Sequence, residues 1–371
     1  MTEPDPTTLE ETPLAALHRE LGARMVPFAG YLMPVHFAGG ILAEHQHCRS
    51  QAALFDVSHM GQARLSRKSA VAALETLVPG DISGLPPGRI RYTMFTNAAG
   101  GVEDDLMVTN AGDHLFLVVN ASRKAADLNH LRTITGEACE LVSLPDRALL
   151  ALQGPAAGGA MARLAPEVQD MTFLSARSMQ VAGIPCFVCR SGYTGEDGFE
   201  ISVAAADVLD LARRLLALPE VRPAGLGARD SLRLEAGLSL YGNDLTPEIT
   251  PVEAGLAWVV GKRRREGGGF PGADIILDQI ASGPKRRRVG LKLTDRVPAR
   301  AHAVITDEGG RPVGEVTSGG FSPSLGHPIA MGYVDSRVAA PGTALRVIVR
   351  DVPREAIVTP MPFVAHRYKK D

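Results

Sequence analysis

Three consecutive acids, Glu103, Asp104 and Asp105, run directly into an apolar segment within GGVEDDLMVTN, Gly100 to Asn110. Acids usually sit where water reaches them, and this segment is patterned for burial as a strand. Fixed carboxylates can take protons and stabilise neighbouring positive charge. Strand alternation puts Glu103 and Asp105 on one face and Asp104 on the other. Periodicity alone does not choose between Asp104 and Asp105.

A second acidic stretch, RSGYTGEDGFEIS (Arg190 to Ser202), is a glycine-punctuated loop. It has no Lys-Ser/Thr, and its acids repel phosphate, so it is not a phosphate loop. Glu196 and Asp197 read as an ordinary turn. Glu200 lies between Phe199 and Ile201 at a strand start and is expected to be partly buried. A buried carboxylate needs donors, and a heterocycle presenting an amino group beside a ring N–H would offer two in parallel. In GARDSLRLEAGLSLYGNDL, Arg229 and Arg233 stand four apart on one helical face, a spacing that suits incoming carboxylates or structural ion pairs.

Two further patterns read as less specific. Cys186 and Cys189 have CxxC spacing, but IPCFVCRSG is strand-like, and residues three apart in a strand face opposite ways. No second CxxC exists, so no metal is expected. The basic runs Lys262, Arg263, Arg264, Arg265 and Lys285 to Arg288 lack interleaved aromatics, which argues against nucleic acid. They read as solvated faces or as contacts for an anionic partner.

The elements that must position these groups alternate along the chain. Thr12-Pro13-Leu14 opens a helix, with Thr12 as cap, that stops at Gly22. A helix is expected over Glu44 to Ala53, and LFDVSHMGQARLS reads as a strand pair. IRYTMFTN, DLMVTN and HLFLVVN are strands joined by glycine turns, a hairpin signal. Ser122 to Ile134 and Ala205 to Leu218 are amphipathic helices, and Thr250, Pro251 and Glu253 form a capping box. From Lys285 onward, short strands alternate with Gly/Pro turns, as in a small antiparallel barrel or sandwich. The expected division is 1–280, two interleaved α+β subdomains, and 281–371, an all-β domain.

At 371 residues and 45% apolar composition the chain has ample mass for a large core. A net charge of -2 demands no polyanionic surface, and four cysteines make no disulfide framework. The polar, acidic start MTEPDPTTLEE has neither signal-peptide nor transit-peptide character. No apolar run reaches the roughly 18 residues that span a bilayer. The expectation is a cytoplasmic protein binding neither membrane nor nucleic acid.

Taken together, PFAGYLMPV, LFDVSHMG, FTNAAGGVEDDLMV, LALQGP, SGYTGEDGFEIS, ARDSLRLEAGLSLYGNDL, TPVEAGLAWVVGKRR, TSGGFSPSL, AMGYV and MPFV cover nearly the whole chain in order. In that order they resemble the aminomethyltransferase (T-protein) family of the glycine cleavage system. The resemblance implies an α+β three-domain cloverleaf, two mixed α/β domains plus a C-terminal antiparallel β-barrel, around a central folate channel. It implies transfer of the aminomethyl group from the lipoyl arm of the H-protein to tetrahydrofolate, giving 5,10-methylenetetrahydrofolate and ammonia. The second Asp of the two-Asp motif, Asp105, is then the catalytic carboxylate. It would stabilise an electrophilic iminium carbon as ammonia leaves and take a folate proton, while Glu103 and Asp104 serve turn solubility and capping. Glu200 would accept from the pterin edge, and Arg229 would hold folate's carboxylate end or orient Glu200. Tyr193, Asn120 and Tyr92 would lie near the ring, and Tyr368 or Arg367 would close over the tail. The run Lys262 to Arg265 would meet the H-protein.

Two other readings share the scaffold. A folate-linked demethylase is one; the flavin-bearing oxidases of that kind need a GxGxxG that this chain lacks. A folate-binding iron-sulfur assembly factor is the other, but its Cys-containing motif is replaced here by Arg190 to Glu196.

Overall fold

The computed structural model describes residues 9–136 and 139–370. Three lobes meet at the centre. The first is a five-stranded antiparallel sheet in the order Ile90–Thr96, Val102–Asn110, His114–Val119, Gly61–Ser66, Glu140–Ser143. Its outer face carries Phe95, Leu106, Val108, Leu115 and Leu117, covered by the helices Ala70–Glu75 and Lys124–Arg132. The second is a six-stranded mixed sheet in the order Ser175–Val181, Ile184–Arg190, Gly198–Ala204, Arg147–Gln153, Ala52–Asp56, Val221–Pro223. Its outer face packs on Val208–Leu216, whose buried Val208, Leu211, Ala212 and Leu215 follow the i, i+3, i+4, i+7 helical stripe. The third is a closed barrel of six strands, from Arg286–Leu293 to Val352–Thr359, around Leu291, Ile305, Val316 and Val347.

The inner faces of the two sheets meet. Phe116 of one and Phe187 of the other pack edge to face at 4.9 Å, and Gln62 accepts the Ser202 hydroxyl across the gap. The strands expected to pair within LFDVSHMGQARLS do not. Ala52–Asp56 joins the six-stranded sheet and Gly61–Ser66 the five-stranded one, so Val57 to Met60 is the crossover between lobes. Alternating apolar residues mark a strand but carry no information about its partner.

Local signals fared unevenly at element ends. Gly22, at φ +72°, does end the first helix, but Thr12 caps nothing. Its hydroxyl donates instead to Asp56 at 2.6 Å, tying the N-terminal helix to the six-stranded sheet. The expected helix over Glu44 to Ala53 runs Gly40–Ser50 and gives way to a strand. The capping box does form: Thr250 N donates to Glu253 at 2.9 Å and Glu253 N to Thr250 Oγ1 at 3.1 Å. Only one turn follows, because Gly255 adopts φ +73° and ends it.

Two buried carboxylates hold the lobes together. Asp244 accepts from Arg233 at 2.9 Å and from Thr317 and Ser318 of the barrel. That places Arg233 as a structural ion pair. Glu235, 0% exposed, accepts from Arg49 at 2.8 Å, His45 at 3.1 Å, and Ser322 and Ser324 of the barrel hairpin. Burial would raise its pKa, but bonds from His45, Ser322 and Ser324 outweigh it and hold the carboxyl well below the usual range. A depressed acid stabilises the fold above its unfolded pKa and loses that as pH falls towards its folded value. Glu235→Ala should therefore cost about 3–5 kcal/mol in urea unfolding at neutral pH. In the wild type the same contribution should fade as pH drops below about 4.3.

Candidate functional site

The turn before the acidic strand is tightly specified. Asn97 Oδ1 accepts from the backbone N–H groups of Ala99 and Gly101, each at 3.0 Å. A side chain at Gly101 would begin 1.7 Å from the Pro247 carbonyl oxygen, so only glycine lets that loop approach. Register then decides the faces. Asp105 pairs with Met94 and Met107 with Tyr92 on the inner face, whereas Asp104 pairs with Phe95 on the outer, core-facing side.

Asp105 is half-buried and meets two donors. Asn120 Nδ2 reaches its Oδ1 at 2.8 Å, and Tyr92 donates its hydroxyl. Burial is the largest cause that pushes the Asp105 carboxyl up to about 7, against the bonds from Tyr92 and Asn120. A carboxyl poised near neutrality can act as a proton acceptor at working pH. Asn120 also bonds Asp104 Oδ1 at 2.9 Å, so one amide clamps both acids. The Tyr92 ring lies 5.8 Å from Trp258, which is 62% exposed beside the site.

From the facing sheet, Glu200 shares its side with Ala151 and Cys189, and its Oε2 accepts the Ser191 hydroxyl at 2.7 Å. Arg229 acts electrostatically on Glu200 and stacks 4.9 Å over the Tyr193 ring. Its Nη1 is buried without a partner, a donor facing no acceptor among the described residues. Tyr193 donates its hydroxyl to the Ser239 carbonyl, and Arg288 donates to the Ser239 hydroxyl. An unmatched cation and a carboxylate side by side fit a ligand with both acidic and amino groups.

Several expected residues sit elsewhere than expected. Glu103 accepts from Asn97 at 3.1 Å, but Asp104 serves no turn: it is 0% exposed inside the outer core. Glu196 and Asp197 are not a plain turn. Glu196 is buried under Arg49 and Arg367, and Asp197 pairs with Arg190. Arg367 is thus bound to Glu196 and to the Arg49 carbonyl at 2.7 Å, and Tyr368 stacks flat on Phe173 at 3.8 Å. Both belong to a C-terminal strap, and the structure joins neither to Asp105. Within the basic run, Arg263 pairs with Glu75 and Asp81, buried Arg264 donates to the carbonyls of Glu75, Val78 and Gly269, and Arg265 donates to those of Ala257 and Val260. These arginines hold the fold, and exposed Lys262 makes no such bond among the described residues. Cys186 and Cys189 point to opposite faces, Cys186 into the outer core and Cys189 beside Glu200.

Four contributors were missed in the sequence: Asp127, Arg288, Trp258 and His59. Asp127 lies on the same helical stripe as buried Leu128 and Leu131, and an acid on an apolar stripe is a readable signal. Arg288 hid in a basic run that read as solvated. Its strand alternation with Arg286 turns both inward, Arg286 onto Glu253 at 2.9 Å. His59, in the crossover, is 3% exposed, and burial lowers its pKa to about 4, keeping it neutral. Nothing in its local sequence marks it.

Two family models match the chain: the GCVT N-terminal domain over residues 14–264 and the glycine cleavage T-protein C-terminal barrel domain over residues 286–365. The chain is 50% identical to the mitochondrial aminomethyltransferase of Flaveria anomala, across 98% of its own length and 91% of that protein's. It is 50% identical to the mitochondrial aminomethyltransferase of Gallus gallus, across 98% and 94%. It is also similar to the crystal structure of glycine cleavage system aminomethyltransferase T from Bartonella henselae. That match has a TM-score of 0.93 and 42% identity, and covers 98% of this chain and 100% of that one. The cytoplasmic expectation does not stand: the curated relatives, from plants, chicken and Dictyostelium discoideum, are named mitochondrial. Among the described residues no helix is long and apolar enough to cross a membrane.

The shared amide makes a clear prediction. Asn120→Ala removes a donor to ionised Asp105, so its carboxyl should titrate higher by roughly one unit, read by carbon-13 NMR of the aspartates. An unmoved titration would show that Asn120 does not hold the charge.

Proposed function

The chain belongs to the glycine cleavage T-protein (aminomethyltransferase) family, and from that premise we propose how its residues carry the transfer. The donor is the S-aminomethyl-dihydrolipoyl arm of the H-protein. The acceptor is tetrahydrofolate, whose ring nitrogen N5 and neighbouring N10 are the two nucleophiles; as the carbon's bonds to sulfur and to its amino nitrogen break, the products are 5,10-methylenetetrahydrofolate, ammonia and the freed dihydrolipoyl thiol. The observation that carries the reading is Asp105: half-buried, poised near neutrality and oriented by Tyr92 and Asn120 on the wall facing Glu200. As positive charge develops on the carbon being passed, the Asp105 carboxylate stabilises it, and the same oxygen pair accepts the proton released on attack. Held near pH 7, it is charged enough to do the first and basic enough to do the second.

Glu200 receives the donors of the pterin edge, fixed by Ser191. The unpartnered Arg229 offers its Nη1 to a ligand carboxylate or orients Glu200. Tyr193, stacked under Arg229, supplies an aromatic wall. Tyr92 reaches the site through Asp105, and Asn120 does so by holding that carboxylate. Arg367 and Tyr368 support the Glu196 loop from behind, an indirect role. Lys262, exposed and not engaged by the fold as its three neighbours are, is the member of its basic run that receives the H-protein.

Incubation of the purified protein with aminomethylated H-protein and tetrahydrofolate should release ammonia rapidly. A demethylase or an iron-sulfur assembly factor would not do so. Asp105→Asn should lower kcat by about 10²–10⁴ while tetrahydrofolate still binds. Glu200→Ala should weaken folate binding more than Asp104→Ala does, and the opposite ranking would remove Glu200 from the pterin edge. Lys262→Glu should raise the apparent KM for the H-protein at low salt and much less at about 1 M, where the Debye length shrinks to roughly 3 Å. Equal KM values at low salt would dismiss Lys262 as a docking residue.

A further inference from the structure

The outer face of the strand Val102–Asn110 packs a core of Phe95, Leu106, Val108 and Leu117, yet Asp104 points into it. The covering helix Lys124–Arg132 answers with a second acid, Asp127. Asp104 is 0% exposed and Asp127 2%, and their carboxyls are in hydrogen-bonding contact. Asp104 Oδ1 has its donor in Asn120, but Asp104 Oδ2 and Asp127 Oδ2 are both buried with no donor. Two ionised carboxylates only accept and cannot bond each other. A single proton between them supplies the missing donor and removes one buried negative charge.

We propose that Asp104 is a positioning residue: it keeps a proton that it donates to Asp127, and through their common clamp Asn120 it fixes the Asp105 carboxylate for aminomethyl transfer. The inference deepens the reading above and rests on it. The groups around the pair agree with this order of protonation. Burial, and then the contact with Asp127, push Asp104 up to about 9, while burial raises Asp127 only to about 6. Arg123 is the cation that favours charge on Asp127. Glu103 and Asp105 add negative potential from the strand, and Tyr241 stands near on the inner side. His130, on the same helix, has its pKa lowered by burial and packs on Phe95, the register neighbour of Asp104. With Asp104 neutral, the Asn120 amide serves one charged oxygen, that of Asp105, and no second full charge competes for it.

Asparagine at this position mimics the protonated acid: its amide donates to Asp127 and its oxygen accepts from Asn120. Asp104→Asn should keep kcat within about threefold and leave the acid limb of the pH–kcat profile within roughly 0.3 unit. Asp104→Leu, similar in size but without a donor, should lose about tenfold or more in kcat with KM for tetrahydrofolate within about twofold. Its circular dichroism and Tm establish that it is folded. Infrared spectra of the intact wild-type chain with carbon-13 aspartate, at about pH 8, should contain a protonated-carboxyl band that Asp104→Asn lacks. A downward shift of the acid limb by a unit or more in Asp104→Asn, full kcat in folded Asp104→Leu, or no such band in the wild type would each overturn the proposal. The band reads the proton without turnover. Its absence therefore refutes the shared proton, whereas a wild type that releases no ammonia refutes the functional reading instead.

Discussion

Removing a carboxylate from water is costly unless donors meet it, and this protein uses that constraint twice, in opposite senses. Where lobes must be joined, the buried acids are saturated. Glu235 collects Arg49, His45 and two serines, Asp244 collects Arg233, Thr317 and Ser318, and Asp56 collects Thr12, His18 and the Ser58 N–H. Where chemistry is proposed, the acids are starved. Asp104 and Asp105 divide one amide group, and Asp127 leaves an oxygen bare. Saturation holds the Glu235 and Asp56 carboxyls below their ordinary range, and all three acids act as rivets. Starvation gives raised ones that can exchange a proton near neutral pH.

The topology makes that starvation possible. Because the chain crosses from one sheet to the other at Val57 to Met60, the two sheets grow from interleaved segments and meet face to face. Asp105 and Glu200 are brought to opposing walls although they stand 95 positions apart in the chain. Neither wall is solvated as a surface strand would be, so Asp105 keeps a raised pKa on one, and Arg229 keeps an unmatched donor beside the other. The barrel closes the third side, and Arg288 of its first strand reaches the Ser239 hydroxyl beside Tyr193.

Much of this was legible in the chain. The apolar alternation of IRYTMFTN, DLMVTN and HLFLVVN specifies three strands in hairpin succession, and they form as read. The short strands after Lys285 announced the all-β lobe, and the family's motifs singled out Asp105, Glu200 and Arg229. The roles of charged residues were the least legible. Arg263, Arg264 and Arg265 look like a docking surface, but Glu75, Asp81 and backbone carbonyls engage them, and Glu196 looks like a turn residue but is buried beneath Arg49 and Arg367. A charge's role depends on what stands opposite it, and its partners here come from distant segments.

The sequence alone settles periodicity, turn chemistry and composition, which depend on neighbours within a few residues. It therefore determined that Asp104 and Asp105 lie on opposite faces of one strand, and that Gly100 and Gly101 shape the turn before them. It did not determine which face looks inward. That choice belongs to sheet register, to the packing of Asp127 against Asp104, and to the meeting of two sheets through Phe116 and Phe187. Those are long-range contacts, and the desolvation they impose turns an ordinary aspartate into one that titrates near neutrality.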